Sequence, residues 1–201
     1  HYVFDFHSKD QIIKDLQLRL PGEHNLMNAT VAIAMALSVG CDPQSIAKAL
    51  QRFRGVDRRF SIRIEEPLVV IDDYAHHPTE INQMADAVKQ FYPSVKRLAV
   101  FQPHLFSRTR DFCQGFAETL SRFDHTLLLD IYPARELPIA GITSQSILDM
   151  MSGSGEIVTK NQLPEKVVDA GADIVVIMGA GDIADEVQPI VEYVKRASYV
   201  G

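Results

Sequence analysis

From about residue 60 onward, short apolar runs alternate with segments of helical period, and this alternation limits the fold more than any other feature. Leu68-Val-Val-Ile71, Leu98-Ala-Val-Phe101 and Ile174-Val-Val-Ile-Met178 are unbroken and rich in β-branched residues. Such runs read as strands covered on both faces. Thr126 to Ile131 and Glu156 to Thr159 read as two more strands. Between them, residues 79–91, a stretch ending near Leu120, and residues 144–151 and 164–169 carry helical spacing, and a last helix runs from Gly179-Ala-Gly181 to about Arg196. Strand followed by helix, repeated, builds βαβ units and a mostly parallel sheet. The expected fold is therefore α/β, a mostly parallel sheet flanked by helices.

The first part of the chain has a different pattern. Tyr2, Phe4 and Phe6 alternate as in a strand, and residues 12–20 form a second extended stretch ending at Pro21-Gly22. An Ala-rich helix is expected from Asn25 to about Val39, stopping at Gly40, and another from Asp42-Pro43 to about Phe53. The change of pattern places a boundary near 54–60, giving units 1–57 and 58–201. The chain starts within a strand and without Met, which leads us to expect that it belongs to a longer protein.

Charge and composition narrow the function. The net charge of −6 argues against non-specific nucleic-acid binding. No apolar run is long enough to cross a bilayer. Cys41 and Cys113 have no ligand-spaced partner and read as reduced thiols of a cytoplasmic protein, and no metal site is expected from them.

Chemistry concentrates where strands end. The run Leu68–Ile71 leads into Asp72-Asp73-Tyr74-Ala75-His76-His77-Pro78, and Pro78-Thr79-Glu80 opens a helix. In open α/β sheets ligands bind at the carboxyl ends of the strands. Residues 102–108, 130–136 and 179–181 follow other strands, so all four loops are expected to converge. Arg108 sits in the first turn of a helix, against the helix dipole, which points to an anionic ligand there; the alternative is a solvated helix start with Arg110 paired to a nearby acid. Gly179-Ala-Gly181 is either a phosphate contact or a turn with no room for a Cβ. Asn25 and Asn28 share one helical face; Asn25 has the chemistry of a cap, which leaves Asn28 unexplained. His1, His7 and His125 read as surface or packing residues.

Taken in order, His24-Asn-x-x-Asn28, Arg58-Arg59-Phe60, Asp72-Asp-Tyr-Ala-His-His-Pro-Thr-Glu80, Phe101-Gln-Pro-His104, Ser107-Arg-Thr-Arg-Asp111, Asp130-Ile-Tyr-Pro-Ala134 and Gly179-Ala-Gly-Asp-Ile183 closely resemble the Mur ligases. The resemblance implies a Rossmann-like carboxyl-terminal domain preceded by the tail of a central ATPase-type domain. It implies an ATP- and Mg2+-dependent ligase of peptidoglycan synthesis that joins L-alanine to the carboxylate of UDP-N-acetylmuramate through an acyl phosphate. By the same resemblance Asn25, Asn28, Arg59 and Asp73 face ATP. Tyr74, His76 and Arg108 face the sugar carboxylate and the incoming amine, with His76 and Arg108 as the catalytic pair. Leu105 stands where many relatives have Arg, and Ala75 where many have Gly. No Gly-x-x-x-x-Gly-Lys-Thr/Ser loop occurs, so the remaining domains of the ligase are expected to supply it, and the chain alone is expected to be inert. Two other readings stay open: a murein-recycling ligase that attaches a peptide to the same sugar nucleotide, and a free-standing nucleotide-binding or interaction module.

Overall fold

In the computed structural model, which describes residues 2–9, 11–20 and 22–198, the chain divides into units 1–56 and 57–201. His1 and Pro21 lie outside the described residues.

In the first unit, β1 (Tyr2–His7) and β2 (Ile12–Leu18) pair antiparallel, with a bulge between Phe4 and Phe6. Helices α1 (Glu23–Ser38) and α2 (Pro43–Arg52) complete a small core of Phe6, Ile13, Leu16, Ile33 and Ile46. Asp42 caps α2 by accepting a hydrogen bond from Ser45 N at 2.9 Å, and Pro43 occupies the first helical position, where its missing N–H costs nothing. Gly40, at φ 83°, follows the end of α1 in the left-handed conformation that a glycine adopts freely. Helix α1 is apolar on more than its core face, and Met27, Val31 and Met35 are exposed.

The second unit runs β3 (Ser61–Ile64), β4 (Val69–Asp73), α3 (Pro78–Phe91), β5 (Arg97–Phe101), α4 (Phe106–Leu120) and β6 (His125–Leu128). It continues through α5 (Ser144–Leu148), β7 (Gly155–Ile157), α6 (Leu163–Asp169), β8 (Ile174–Met178) and α7 (Val187–Ala197). The sheet order is β3-β4-β8-β5-β6-β7. Only the edge strand β3 is antiparallel, against β4. The last strand thus lies in the middle, between β4 and β5.

Alternate residues of the central strands serve opposite faces, as a period of two requires. Ile174, Val176 and Met178 pack on one side with Phe101, Phe116, Leu128 and Ile147. Val175 and Ile177 pack on the other with Leu98, Val100, Leu127, Ile190 and Val194. Covering both faces explains why these strands read as continuous apolar runs.

In the second unit, three elements differ from expectation by three residues or more. The strand expected over 126–131 ends at Leu128, because the chain turns away after Leu129 N reaches Phe101 O at 2.9 Å. The helix expected over 144–151 ends at Leu148, and the N–H groups of Met150 and Met151 turn back to Ile147 O and Leu148 O. The last helix does not start at the Gly179-Ala-Gly181 turn. A 3-10 turn (Asp182–Glu186) intervenes, and α7 begins at Val187. Pro189 accounts for this: a continuous helix would need its N–H, whereas in the first turn of a new helix no N–H is required.

Candidate active site

Register places the candidate site. Asp73 pairs with Met178, Met178 with Phe101, Phe101 with Leu128, and Leu128 with Ile157, so the parallel strands end in line. The loops after them share one edge, and the four polar loops expected to converge do so.

The loop after β4 is held at both ends. The carboxylate of Asp73 accepts from Ala75 N and from Phe60 N, each at 2.7 Å, and Tyr74 N donates to Arg58 O at 2.7 Å. Asp73 thereby fastens the turn at 58–60, where Arg58 and Phe60 have positive φ, to its own loop. Burial pushes its carboxyl up to about 6, partly offset by the two N–H donors and reinforced by the charges of Asp72 and Glu80. At the other end His77 caps α3: its Nδ1 accepts from Thr79 N at 3.2 Å. The Glu80 carboxylate in turn takes the N–H groups of His76 and His77 at 2.8 and 3.1 Å. His77 is therefore committed to the helix start, and its ring meets Phe112 edge-on.

Asp72 is buried and paired with Arg58 at 3.2 Å and Arg63 at 2.6 Å. Arg58 also donates to Gly179 O at 2.7 Å, and its guanidinium lies 5.3 Å from the Tyr74 ring centroid. Of the two adjacent arginines, Arg58 ties the loops together and Arg59 is exposed.

His76 stands behind Tyr74, with ring centroids 5.2 Å apart. Its Nδ1 lies 2.9 Å from Tyr74 O and 3.4 Å from Glu80 Oε2, both acceptors. The proton of the neutral ring therefore belongs on Nδ1, leaving Nε2 as a free base. His104 lies next, its ring 6.3 Å from that of His76 and stacked at 5.5 Å on Tyr132. Its Nδ1 is 3.4 Å from Arg108 Nη1, which can only donate, so here the proton belongs on Nε2. Burial, followed by the charges of Arg108 and His76, holds its pKa below the ordinary imidazole value. The site thus offers one imidazole that accepts, one that donates, and a guanidinium beside them.

The loops after β5 and β6 are zipped together. Leu105 N donates to Tyr132 O at 2.9 Å and Tyr132 N to Pro103 O at 2.8 Å. Leu105 itself is held at φ 73°, a conformation that costs a non-glycine residue about 1–3 kcal/mol and clusters at functional sites.

At the start of α4 the protein supplies an anion of its own, bound to Ser107 and not to Arg108. Glu136 accepts from Ser107 N at 2.9 Å and from Ser107 Oγ. Arg110 pairs with Asp111 at 2.8 Å, the bland alternative named above. The Gly179-x-Gly181 turn is likewise explained by packing. A Cβ on Gly181 would lie 2.6 Å from Gln102 Oε1 and 2.7 Å from Tyr132, and one on Gly179 3.0 Å from Gln102 O. Gln102 is buried and bonds Asp182 and Ile183 N, which locks this turn to β5. His125, read as a surface or packing residue, contacts Ser154 Oγ at 2.8 Å and lies 3.6 Å from Glu156.

The structure thus brings together Tyr74, His76 and Arg108, with Asp73 and Arg59 on the adjoining turns. His104, Tyr132, Glu136 and Arg58 join them, although sequence reasoning gave them no role. Asn25 and Asn28 belong to the first unit. Gly22 precedes α1, so Asn25 lies in the first helical turn and is not the cap; it is half-buried, whereas Asn28 is exposed. Among the described residues no three His, Cys, Asp or Glu side chains gather to hold a metal ion. Among them, too, no helix is long and apolar enough to cross a membrane.

The second unit is thus a mostly parallel-sheet domain with two imidazoles and an arginine at its carboxyl edge, and residues 58–181 match the family model of the Mur ligase glutamate ligase domain. The chain belongs to the Mur ligase family. It is 56% identical over 192 residues to the UDP-N-acetylmuramate–L-alanine ligase of Flavobacterium johnsoniae, covering 94% of this chain and 43% of that protein. The corresponding ligase of Christiangramia forsetii is 53% identical over 191 residues, which are 94% of this chain and 42% of the relative. Among solved structures, the UDP-N-acetylmuramate–alanine ligase of Thermotoga maritima superposes with a TM-score of 0.74 at 30% identity, over 92% of this chain and 42% of that one. The chain therefore spans about two fifths of the length of the relatives it matches.

Proposed function

We propose that this chain is part of a cytoplasmic, ATP-dependent ligase that joins L-alanine to the carboxylate of UDP-N-acetylmuramate in the synthesis of peptidoglycan precursors. The observation that carries the reading is the cluster of His76, His104 and Arg108 at the carboxyl edge of the sheet, in a chain so close to ligases of that name.

The chemistry suits the groups present. A carboxylate is a poor electrophile, so it is activated as an acyl phosphate at the expense of ATP. The amine of L-alanine then attacks the acyl carbon, forming the amide and releasing phosphate. The amine must lose a proton, and in this reading Nε2 of His76 takes it. Arg108 presents a planar fork to a carboxylate or phosphoryl group. The neutral His104 adds an N–H donor beside it. Tyr74, exposed at the rim, lines the approach. In this reading Asn25, Asn28, Arg59 and Asp73 serve ATP, and Mg2+ is held chiefly by parts of the enzyme outside these residues. The division into central-domain tail and carboxyl-terminal domain belongs to the same proposal.

The test is an acceptor assay on the full-length protein. Phosphate release from ATP should require both UDP-N-acetylmuramate and L-alanine. Faster turnover with a tripeptide than with L-alanine would move the assignment to the peptide-attaching ligase. Release that depends on neither acceptor would remove the ligase reading.

A further inference from the structure

We infer that Glu136 is a positioning residue: held by Ser107, its carboxylate fixes the first turn of α4 and so aims the Arg108 guanidinium at His104. The inference rests on the ligase reading above.

The N–H groups in the first turn of a helix have no acceptor within the helix. They are ordinarily served by the side chain of the residue just before it. Here that residue is Leu105, which has no acceptor and is held at φ 73°. The acceptor comes instead from 29 residues further on: Glu136 takes Ser107 N on one oxygen and the Ser107 hydroxyl on the other. A carboxylate at a helix N-terminus also suits the dipole.

Arg108 is the next residue along. Its side chain is half-buried, and among the described residues it meets His104, at 3.4 Å. That contact is long, so it does not orient the guanidinium by itself. The direction of Arg108 is set by the backbone turn beneath it, and that turn is closed by Glu136. The carboxylate is itself presented by a fixed loop: Glu136 N donates to Pro133 O at 2.9 Å, and Tyr132 is joined to Pro103 and Leu105 through the backbone. One loop thus carries both the ring that supports His104 and the carboxylate that sets Arg108.

The test uses the full-length protein with Glu136→Ala, Glu136→Gln, Arg108→Ala, and the double variant Glu136→Ala/Arg108→Ala. Since small misplacements of catalytic groups are costly, Glu136→Ala should lower kcat by about tenfold or more, with KM for ATP unchanged. Glu136→Gln should fall between, because an amide oxygen still accepts from Ser107 N. The double variant should be no worse than Arg108→Ala, since a residue acting through Arg108 has nothing left to act on. A second measurement does not depend on turnover. In amide hydrogen exchange Ser107 should be protected in the unsubstituted protein and exposed in Glu136→Ala. Thr109, whose N–H reaches Leu105 O at 3.1 Å, should stay protected in both. Multiplying losses in the double variant, normal turnover in Glu136→Ala, or an unprotected Ser107 in the parent would each overturn the role of Glu136 and leave the ligase reading standing. A parent enzyme that forms no amide would overturn both.

Discussion

The ring of His104 lies on the ring of Tyr132, with centroids 5.5 Å apart and planes 21° from parallel. Tyr132 comes from the loop after β6 and His104 from the loop after β5, so the stack joins two strand ends and sets the plane of the imidazole. Removing the ring should free His104 to turn. Tyr132→Ala is expected to lower turnover of the full-length ligase by about tenfold, and Tyr132→Phe to keep most of it, because the stack needs the ring and not the hydroxyl. Equal losses in the two variants would show that the hydroxyl, not the stack, carries the effect.

Arg108 should matter to rate and little to stability. Its side chain is half-buried and forms no ion pair among the described residues, so its loss strips no buried partner. Both Arg108→Ala and Arg108→Lys are expected to reduce turnover strongly, the latter because an ammonium cannot make two parallel hydrogen bonds. Melting temperatures should stay within a few degrees of the parent, since surface substitutions usually fall within about 0.5 kcal/mol. A melting curve that collapses in Arg108→Ala would mean that the residue holds the fold.

Asp73 predicts a dependence on pH. Its carboxyl is pushed up to about 6 in the folded chain, mainly by burial. In the unfolded chain an aspartate titrates near 4. Between those values the folded state binds more protons than the unfolded one, so the contribution of Asp73 to stability falls as pH rises. It is fully present below about pH 4 and lost as pH passes through about 6. Relative to Asp73→Asn, the parent should therefore lose stability across that window and run parallel to the variant above it. Carbon-detected titration of the Asp73 carboxyl should show a midpoint near 6; an ordinary midpoint near 4 would refute this.

The segment between α2 and β3 should be open to proteases. It has no regular structure from Phe53 to Val56, Arg54 is exposed, and the two units divide beside it. Brief trypsin treatment is expected to cut after Arg54 and leave a resistant piece running on from Gly55. Rapid loss of that piece would show that the second unit is not stable alone.

By itself, the 201-residue chain should not turn over ATP. It contains no glycine-rich loop ending in Lys and Thr or Ser, so nothing in it cradles the β- and γ-phosphates. Sustained phosphate release stimulated by L-alanine and UDP-N-acetylmuramate from the pure chain would contradict this.

The strands of the second unit were readable because burial on both faces removes polar alternation, and the helices because burial on one face preserves a period near 3.6. Pairing was not readable. Nothing local in Ile174–Met178 tells that it lies between β4 and β5, or that Ser61–Ile64 runs antiparallel to β4. At the site, the dense run from Asp72 to His77 gave Tyr74 and His76. Glu136 was hidden because a helix cap is normally sought next to the helix, and this one comes from another loop. Gly179 and Gly181 were ambiguous, since a turn shaped for phosphate and a turn crowded by Gln102 and Tyr132 both exclude a Cβ. Arg58 and Arg59 are identical in type, and only the fold tells that the first is bound to Asp72 and Gly179.

The central place of β8 has a consequence for synthesis. As the chain leaves the ribosome, β4 and β5 emerge long before the strand that pairs with both. Until Met178 appears, the nascent unit has two half-sheets with facing unpaired edges, and the Arg58 guanidinium lacks the Gly179 carbonyl. The carboxyl edge of the sheet therefore cannot align before β8 has been made. A chain that stops before that strand keeps both edges unpaired, and an unpaired edge is a template for pairing with another chain. Whether those edges are closed thus turns on the delivery of a single five-residue segment.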